Sequence, residues 1–299
     1  MSPTIESILV PTDGSEGARI GARRGIDLAA TVDADLHVLS VVNTDRISAS
    51  LSALNAGDRR EQEQRLEEEA QQAAESVAGL ARTHLSGRIT TAVERGVPFR
   101  TINEYVDSYD IDLIVMGTQG LTGVERILLG SVAEKTLRTA SVPVVTVAPS
   151  ADVGEVGNET YEDVLLPTDN SEGAEVAIEW GITLAGVYDA TIHTIYSVET
   201  SRFRGPEGVG EIYEALEQTG RNALETVRER ARAADVSVAG SIASGPAAHA
   251  ILSYGEEQDV DLIVMGTHGR SGASRYLIGS VTETVVRNAT VPVCCVPMQ

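Results

Sequence analysis

Lysine is almost missing from this sequence. Lys135 is the only lysine among 299 residues, so arginine supplies nearly all of the 23 basic side chains. With 44 acidic residues the formal net charge is −21. A surface of this sign repels nucleic acid and anionic membranes, so we expect neither as a partner.

Cysteine and long apolar runs are also scarce. Cys294 and Cys295 are adjacent in an apolar run, and neighbours on a strand point to opposite faces. We therefore expect two buried thiols rather than a disulfide or a metal site. No apolar run could span a bilayer, and residues 1–4 lack the basic and apolar regions of a signal peptide. The sequence thus predicts a cytoplasmic protein.

Several nucleotide and catalytic signatures are absent. The sequence contains no G-x-x-x-x-G-K-[ST] loop, and G-x-G-x-x-G does not follow the first predicted strand. It also has no nucleophile elbow and no metal-ligand cluster. These absences argue against a motor-type ATPase, a dinucleotide dehydrogenase, a serine hydrolase and a metalloenzyme.

One strand-and-loop segment occurs twice. Residues 112–118 and 261–267 both read Asp-Leu-Ile-Val-Met-Gly-Thr, a buried parallel strand that runs into glycines. Both copies continue as G-x-x-G, nine residues, then Gly-Ser, where a helical pattern starts. Glycines allow close approach to the main chain, and a helix N-terminus presents N–H groups and partial positive charge. The repeat therefore predicts two phosphate cradles.

The predicted cradle residues are equivalent in the two copies. They are Gly117, Gly120, Gly130 and Ser131 in the first copy, and Gly266, Gly269, Gly279 and Ser280 in the second. The alternative is that these glycines serve only tight turns and close packing of a helix on the sheet.

The remaining pattern is duplicated as well. The segment Pro-Thr-Asp at residues 11–13 returns at residues 167–169, and each aspartate directly follows a predicted strand. Asp13 and Asp169 could contact an adenine amino group or a ribose hydroxyl, or could simply cap the turn. Strand alternates with helix five times in each half, which predicts a parallel sheet covered on both faces. Ligands of such sheets bind at the carboxyl ends of the strands.

The fold class is therefore α/β, with two tandem Rossmann-like domains of five parallel strands each. We place the domains at residues 1–148 and 162–299, joined by a polar linker at residues 149–161. The first domain carries seven extra residues, which we assign to the connection after its second strand.

The two loops differ in polarity. His268 and Arg270 in the second copy correspond to Gln119 and Leu121 in the first. If either basic residue contacts phosphate, the second site should hold a triphosphate better. His268 could also act as a general base, although the sequence shows no partner that would orient it.

Both halves resemble the universal stress protein domain, of the fold also known from adenine nucleotide alpha hydrolases. The resemblance rests on P-T-D-x-S-E-G-A, D-L-I-V-M-G-T, G-x-x-G-x9-G-S and the V-P-V ends, and covers nearly the whole chain. It implies ATP binding, with Mg²⁺ or Mn²⁺ held through the phosphates. The residues implied for the two sites are Pro11, Thr12, Asp13, Val41, Gly117, Gly120, Gly130, Ser131 and Val132, and Pro167, Thr168, Asp169, Ser197, Gly266, His268, Gly269, Arg270, Gly279, Ser280 and Val281.

The resemblance also implies how the units associate and what the chain does. Family members pair through their last strands, so residues 142–147 and 291–296 are expected to form an internal pseudo-dimer, and a further homodimer is conceivable. The leading hypothesis is a non-enzymatic, ATP-binding stress-response or regulatory protein whose protein partner is unknown. The alternatives are a slow ATPase and an interaction module that needs no nucleotide. The acidic, lysine-poor composition resembles that of haloarchaeal, halophilic proteins.

Overall fold

A computed structural model describes residues 3–44, 56–120, 129–151, 154, 156–157, 160–199, 209–269 and 278–298. The chain forms two compact units. The first unit comprises residues 5–159, and the second comprises residues 160–299 together with the first residues of the chain. Arg270 and Leu121 lie outside the described residues.

The first unit alternates strand and helix, as predicted. Its elements are β1 (Ser7–Thr12), α1 (Glu16–Val32), β2 (Asp35–Asn43), α2 (Ala56–Ala81), β3 (Ile89–Gly96), α3 (Pro98–Ser108), β4 (Leu113–Gly117), α4 (Ser131–Thr139) and β5 (Val144–Val147). All its described strand pairs are parallel, in the order β3-β2-β1-β4-β5. The strand order reverses direction after β3, so right-handed crossovers place α1 and α2 on one face and α3 and α4 on the other.

The second unit repeats this arrangement. Its elements are β6 (Asp163–Pro167), α5 (Glu172–Tyr188), β7 (Thr191–Val198), α6 (Val209–Ala233), β8 (Val238–Ser244), α7 (Ala247–Glu257), β9 (Leu262–Gly266), α8 (Ser280–Asn288) and β10 (Val293–Val296). The described pairs are again parallel, in the order β10-β9-β6-β7-β8. The predicted α/β fold of two Rossmann-like domains is confirmed.

Local sequence explains where the first helix of each unit begins and ends. Ser15 caps α1 by accepting a hydrogen bond from the Ala18 N–H at 3.2 Å, and Ser171 caps α5 in the same way. Both helices end at an aspartate in the left-handed conformation, Asp33 and Asp189. The two units therefore use the same residue types, serine and aspartate, to begin and to end their first helix.

The seven-residue difference between the units is not confined to the connection after the second strand. The turn between α2 and β3 spans residues 82–88, whereas the turn between α6 and β8 spans only residues 234–237. The prediction was wrong in part, because the offset between two motifs cannot reveal where between them residues were gained.

The segment predicted as a linker contacts the first unit. Ala151 is buried, and the Gly157 N–H donates a hydrogen bond of 2.6 Å to Asp27 Oδ1 on α1. Asp27 is itself buried. These contacts fix part of the segment against the unit that precedes it.

The cores are aliphatic, and both cysteines belong to them. Cys294 and Cys295 lie on β10 as buried free thiols, as expected from their neighbours. Burial raises the pKa of Cys294 to about 12. None of the described helices is long and apolar enough to cross a membrane.

Candidate functional site

The predicted site residues gather at the carboxyl edge of each sheet. In the first unit β1 ends at Thr12 and β4 ends at Gly117, and the strands are neighbours in the sheet. The Thr12 hydroxyl accepts a hydrogen bond from the Gly14 N–H at 3.2 Å, which shapes the turn after the strand. Pro11 lies one residue earlier, paired with Leu39 of β2.

The second unit ends its first strand in the same way. Thr168 accepts a hydrogen bond from the Asn170 N–H, also at 3.2 Å, and Pro167 is paired with Ile195 of β7. The equal distances show that the two turns have the same local geometry.

Each strand-end aspartate faces the glycine loop. Oδ1 of Asp13 accepts the Ser15 N–H at 3.0 Å, while a Cβ added at Gly120 would lie 2.6 Å from its Oδ2. Asp169 makes the same bond to Ser171, and the distance to a Cβ at Gly269 is again 2.6 Å. The turn role of the aspartates is thus observed, and the second loop glycine is needed for the carboxylate to approach.

Helix packing requires the first loop glycine. A Cβ at Gly117 would overlap the carbonyl of Gly17 on α1, and one at Gly266 would lie 2.7 Å from the carbonyl oxygen of Gly173 on α5. The packing alternative therefore holds for Gly117 and Gly266. Their role is to let a helix approach the loop, whether or not a ligand is bound.

The third loop glycine caps a helix. Gly130 and Gly279 precede α4 and α8 in an extended conformation, and each donates its N–H to the carbonyl of a loop threonine at 2.7 Å. Ser131 and Ser280 are the first, exposed residues of these helices, and the half-buried Val132 and Val281 follow. A helix start with exposed hydroxyls and no side-chain cap offers a local positive potential to an anion.

The residues implied for the base lie on the neighbouring strand. Val41 is half-buried near the end of β2 and is paired with Glu94. Ser197 stands at the corresponding place on β7, where its hydroxyl donates a hydrogen bond of 2.6 Å to the Gly245 carbonyl. The polar side chain is therefore satisfied within the protein.

The neighbouring threonine orients the side chain of His268. Its Nδ1 lies 3.0 Å from the hydroxyl of the buried Thr267, directly before it in the chain. Gln119 occupies this loop position in the first unit. The second loop thus carries an oriented imidazole that the first loop lacks.

Two other histidines lie away from this edge. His37 and His193 occupy equivalent positions near the start of β2 and β7, and each Nδ1 lies 3.0 Å from a tyrosine hydroxyl, that of Tyr105 or Tyr254. His193 also contacts Asp163 at 2.8 Å through Nε2. The contacts with side chains indicate that both histidines have packing roles. The tyrosine partners were missed because they lie on helices distant in the sequence.

Metal ligands are not concentrated anywhere in the part of the chain that the structure describes. No group of three or more His, Cys, Asp or Glu side chains there could hold a metal ion.

Fold and site geometry define a tandem protein of the doubly wound, Rossmann-like class. The profile of the Universal stress protein family matches residues 4–148 and 160–297. The chain belongs to this family and carries two of its domains in tandem.

Relatives exist with one and with two domains. A universal stress protein of Mycolicibacterium smegmatis is 29% identical over 301 residues, covering 99% of this chain and 98% of its own. Universal stress protein MJ0531 of Methanocaldococcus jannaschii is 38% identical over 143 residues, covering 47% of this chain and 84% of its own. A crystal structure of an Archaeoglobus fulgidus universal stress protein aligns with a TM-score of 0.72 at 24% identity, covering 98% and 97% of the chains. That likeness concerns the fold.

Proposed function

We propose that the chain binds ATP at the carboxyl edge of each sheet and acts as a nucleotide-dependent stress-response or regulatory protein. The proposal rests on three features that both units have at this edge: an aspartate carboxylate, a loop glycine and the start of a helix. The carboxylate of Asp13 or Asp169 faces the loop glycine, and a helix begins at Ser131 or Ser280 just beyond that loop. A base-contacting acid and an anion-binding helix start are the parts that an adenine nucleotide requires.

The supporting sequence motifs complete the site. Backbone near Val41 and Ser197 would border the adenine, and the residues after Gly130 and Gly279 would bind the phosphates. Mg²⁺ or Mn²⁺ would accompany the phosphates and neutralise part of their charge. Each of these statements rests on the motif resemblance together with the position of the residues at the carboxyl edge.

The sharpest test uses the first helical residue instead of the glycines, since larger side chains at Gly117 or Gly269 would disturb packing. Ser131→Glu and Ser280→Glu place a carboxylate where phosphate would bind. A carboxylate is favourable at a helix N-terminus, so the fold should remain stable. We expect wild-type chain to retain or bind two ATP molecules, each single variant one, and the double variant none.

Native mass spectrometry of the full chain counts the bound nucleotides, and equilibrium dialysis gives the dissociation constants, expected at micromolar order. Ser131→Gln and Ser280→Gln are the matched neutral controls and should retain most of the affinity. Wild-type protein that binds no adenine nucleotide would refute the proposal and favour an interaction module without nucleotide.

A slow ATPase activity is the second candidate, favoured by the Thr267–His268 hydrogen bond. This bond orients the imidazole of His268, which could position water. We expect any steady phosphate release to fall at least tenfold in His268→Ala and to survive in His84→Ala, an exposed histidine of the first unit between α2 and β3. Turnover equal to the buffer background, or equal in both variants, would remove this candidate.

We further propose a cytoplasmic setting and a halophilic, haloarchaeal source. The support is the net charge of −21 with a single lysine, together with the buried free thiols. The two units are proposed to associate as an internal pseudo-dimer through their last strands, with adenine nucleotide as ligand and with neither nucleic acid nor membrane as partner.

A further inference from the structure

Two basic side chains of the first unit share one aromatic ring. Nζ of Lys135 on α4 lies 5.2 Å from the centroid of Phe99, and Cζ of Arg100 on α3 lies 5.7 Å from the same centroid. We name Lys135 and Arg100 the Phe99 basic pair. Each contact is a cation–π interaction, which at an exposed position is weak.

The basic pair has no carboxylate partner within the described ranges. Many of the described arginines form ion pairs, and Arg138, one turn beyond Lys135 on α4, contacts Glu134 at 2.8 Å. No described carboxylate forms such a pair with Lys135 or Arg100. Both cations are exposed and lie at most about 11 Å apart, close to the Debye length of about 10 Å at 0.1 M salt. Two neighbouring like charges repel each other, and an anion bound beside them would relieve that repulsion.

The position of the pair indicates which anion the two cations could bind. α3 begins at Pro98, directly after β3, and α4 begins at Ser131, after the loop from β4. Both helices therefore start at the carboxyl edge of the parallel sheet. A hydrogen bond of 2.7 Å from Asn103 to Thr139 joins α3 to α4. Arg100 lies in the first turn of α3 and Lys135 in the second turn of α4, on the side of the proposed nucleotide site.

Lys135 can reach the start of its own helix. It follows Ser131 by four residues, so both lie on the same face, separated by about 6 Å along the axis. Side chains of a helix point toward its N-terminus, and an extended lysine spans about this distance. Its ammonium group could thus leave the Phe99 ring and contact the terminal phosphates of a chain whose first phosphate lies at Ser131.

The second unit lacks this pair. Ala248, His249 and Thr284 occupy the positions of Phe99, Arg100 and Lys135. Its loop instead carries His268, where the first unit has Gln119. The missing loop histidine of the first unit is therefore matched by two cations on the adjoining helices.

We propose that Lys135 and Arg100 bind the terminal phosphates of the nucleotide in the first unit and thereby favour ATP over AMP there. This inference rests on the proposed function. It also implies that the two sites recognise the phosphate chain with different residues.

The test uses the full chain carrying Ser280→Glu, which leaves the first site as the site under study. Lys135→Thr, the residue of the second unit, combined with Arg100→Gln, should weaken ATP binding about tenfold in calorimetry. AMP binding should change less than twofold, since its single phosphate stays at the helix start. Lys135→Arg alone should keep the ATP affinity because it keeps the charge.

Arg88→Gln is the matched control, because Arg88 is an exposed arginine of the same unit just before β3, at the amino edge of the sheet. It should leave the ATP to AMP ratio unchanged. The inference is overturned if the double substitution weakens ATP and AMP equally, or changes neither. It is also overturned if wild-type chain binds ATP but the Ser280→Glu background binds none, an outcome that leaves the proposed function standing in the second unit. No ATP binding by the wild-type chain would instead reject the proposed function itself.

Discussion

Single residues in the two units have diverged while the backbone around them has not. Asp13 and Asp169 make identical turn bonds to Ser15 and Ser171 at 3.0 Å. His37 and His193 likewise each contact a tyrosine hydroxyl, that of Tyr105 or Tyr254. His193, unlike His37, also contacts a carboxylate, that of Asp163. The equivalent strand position in the first unit is Ser7. Side-chain chemistry at a fixed backbone position is thus where the units differ.

His37 should make the stability of the protein depend on pH. Burial lowers the pKa of His37 below its ordinary value of 6.5, an effect to which Arg88 adds and which Asp35 opposes. Its Nδ1 faces the Tyr105 hydroxyl. As the pH falls, the His37 imidazole is therefore protonated in the unfolded chain before it is protonated in the folded protein. The stabilising contribution of the neutral ring is complete above pH 6.5 and is lost as the pH falls through the folded pKa.

Between pH 7.5 and pH 5 we expect the free energy of unfolding to decrease less in His37→Gln than in the wild-type protein. The difference should be below about 1 kcal/mol because the ring is partly solvated. Urea unfolding of both proteins at several pH values measures the difference. His249→Gln controls for loss of a histidine elsewhere. Parallel pH profiles for wild-type and His37→Gln would contradict the expectation.

Among the elements, the first helix of each unit determines the shape of the glycine loop. Gly17 and Gly21 on α1 meet the backbone of the β4 loop, and Gly173 on α5 meets that of the β9 loop. The helix can approach this closely only because these positions carry no Cβ. The loop conformation is thus fixed by a helix about 100 residues earlier in the chain.

Gly21→Ala tests this contact. The added Cβ would overlap the Gly117 backbone nitrogen, so we expect the free energy of unfolding to fall by about 1–3 kcal/mol. Gly79→Ala on α2 is the matched control, since nothing lies within 4 Å of its added Cβ. It should stabilise the helix by about 0.5–1 kcal/mol. Thermal and urea unfolding measure both, and a neutral Gly21→Ala would show that the helix can shift without cost.

The whole molecule carries a large excess of negative charge. A net charge of −21 on 299 residues destabilises a compact state through self-repulsion, and dissolved salt screens this repulsion. The charge excess is spread over the surface, where many arginines are already paired with glutamates. Further stabilisation must therefore come from the solvent ions.

We expect the melting temperature to rise steadily between 0.05 M and 2 M KCl. Scanning calorimetry across that range gives the dependence, and sucrose at matched osmolality separates charge screening from general solvent exclusion. A melting temperature that stays constant or falls with KCl would argue against a halophilic protein.

Much of the architecture could be predicted from the sequence because its signals are local. Alternating apolar and amphipathic segments predicted the alternation of five strands with helices in each unit. The exact ends of the strands could not be predicted because they depend on pairing between strands: β3 reaches Gly96, where it pairs with Asn43 of β2.

By itself the sequence determined the duplication, the fold class, the family resemblance and the set of candidate nucleotide residues, because periodicity, caps and repeated motifs are readable along the chain. Tertiary structure alone decided which glycines are needed for packing. It also brought Lys135 and Arg100 onto the Phe99 ring. These features depend on distances between segments far apart in the sequence, which only folding brings together.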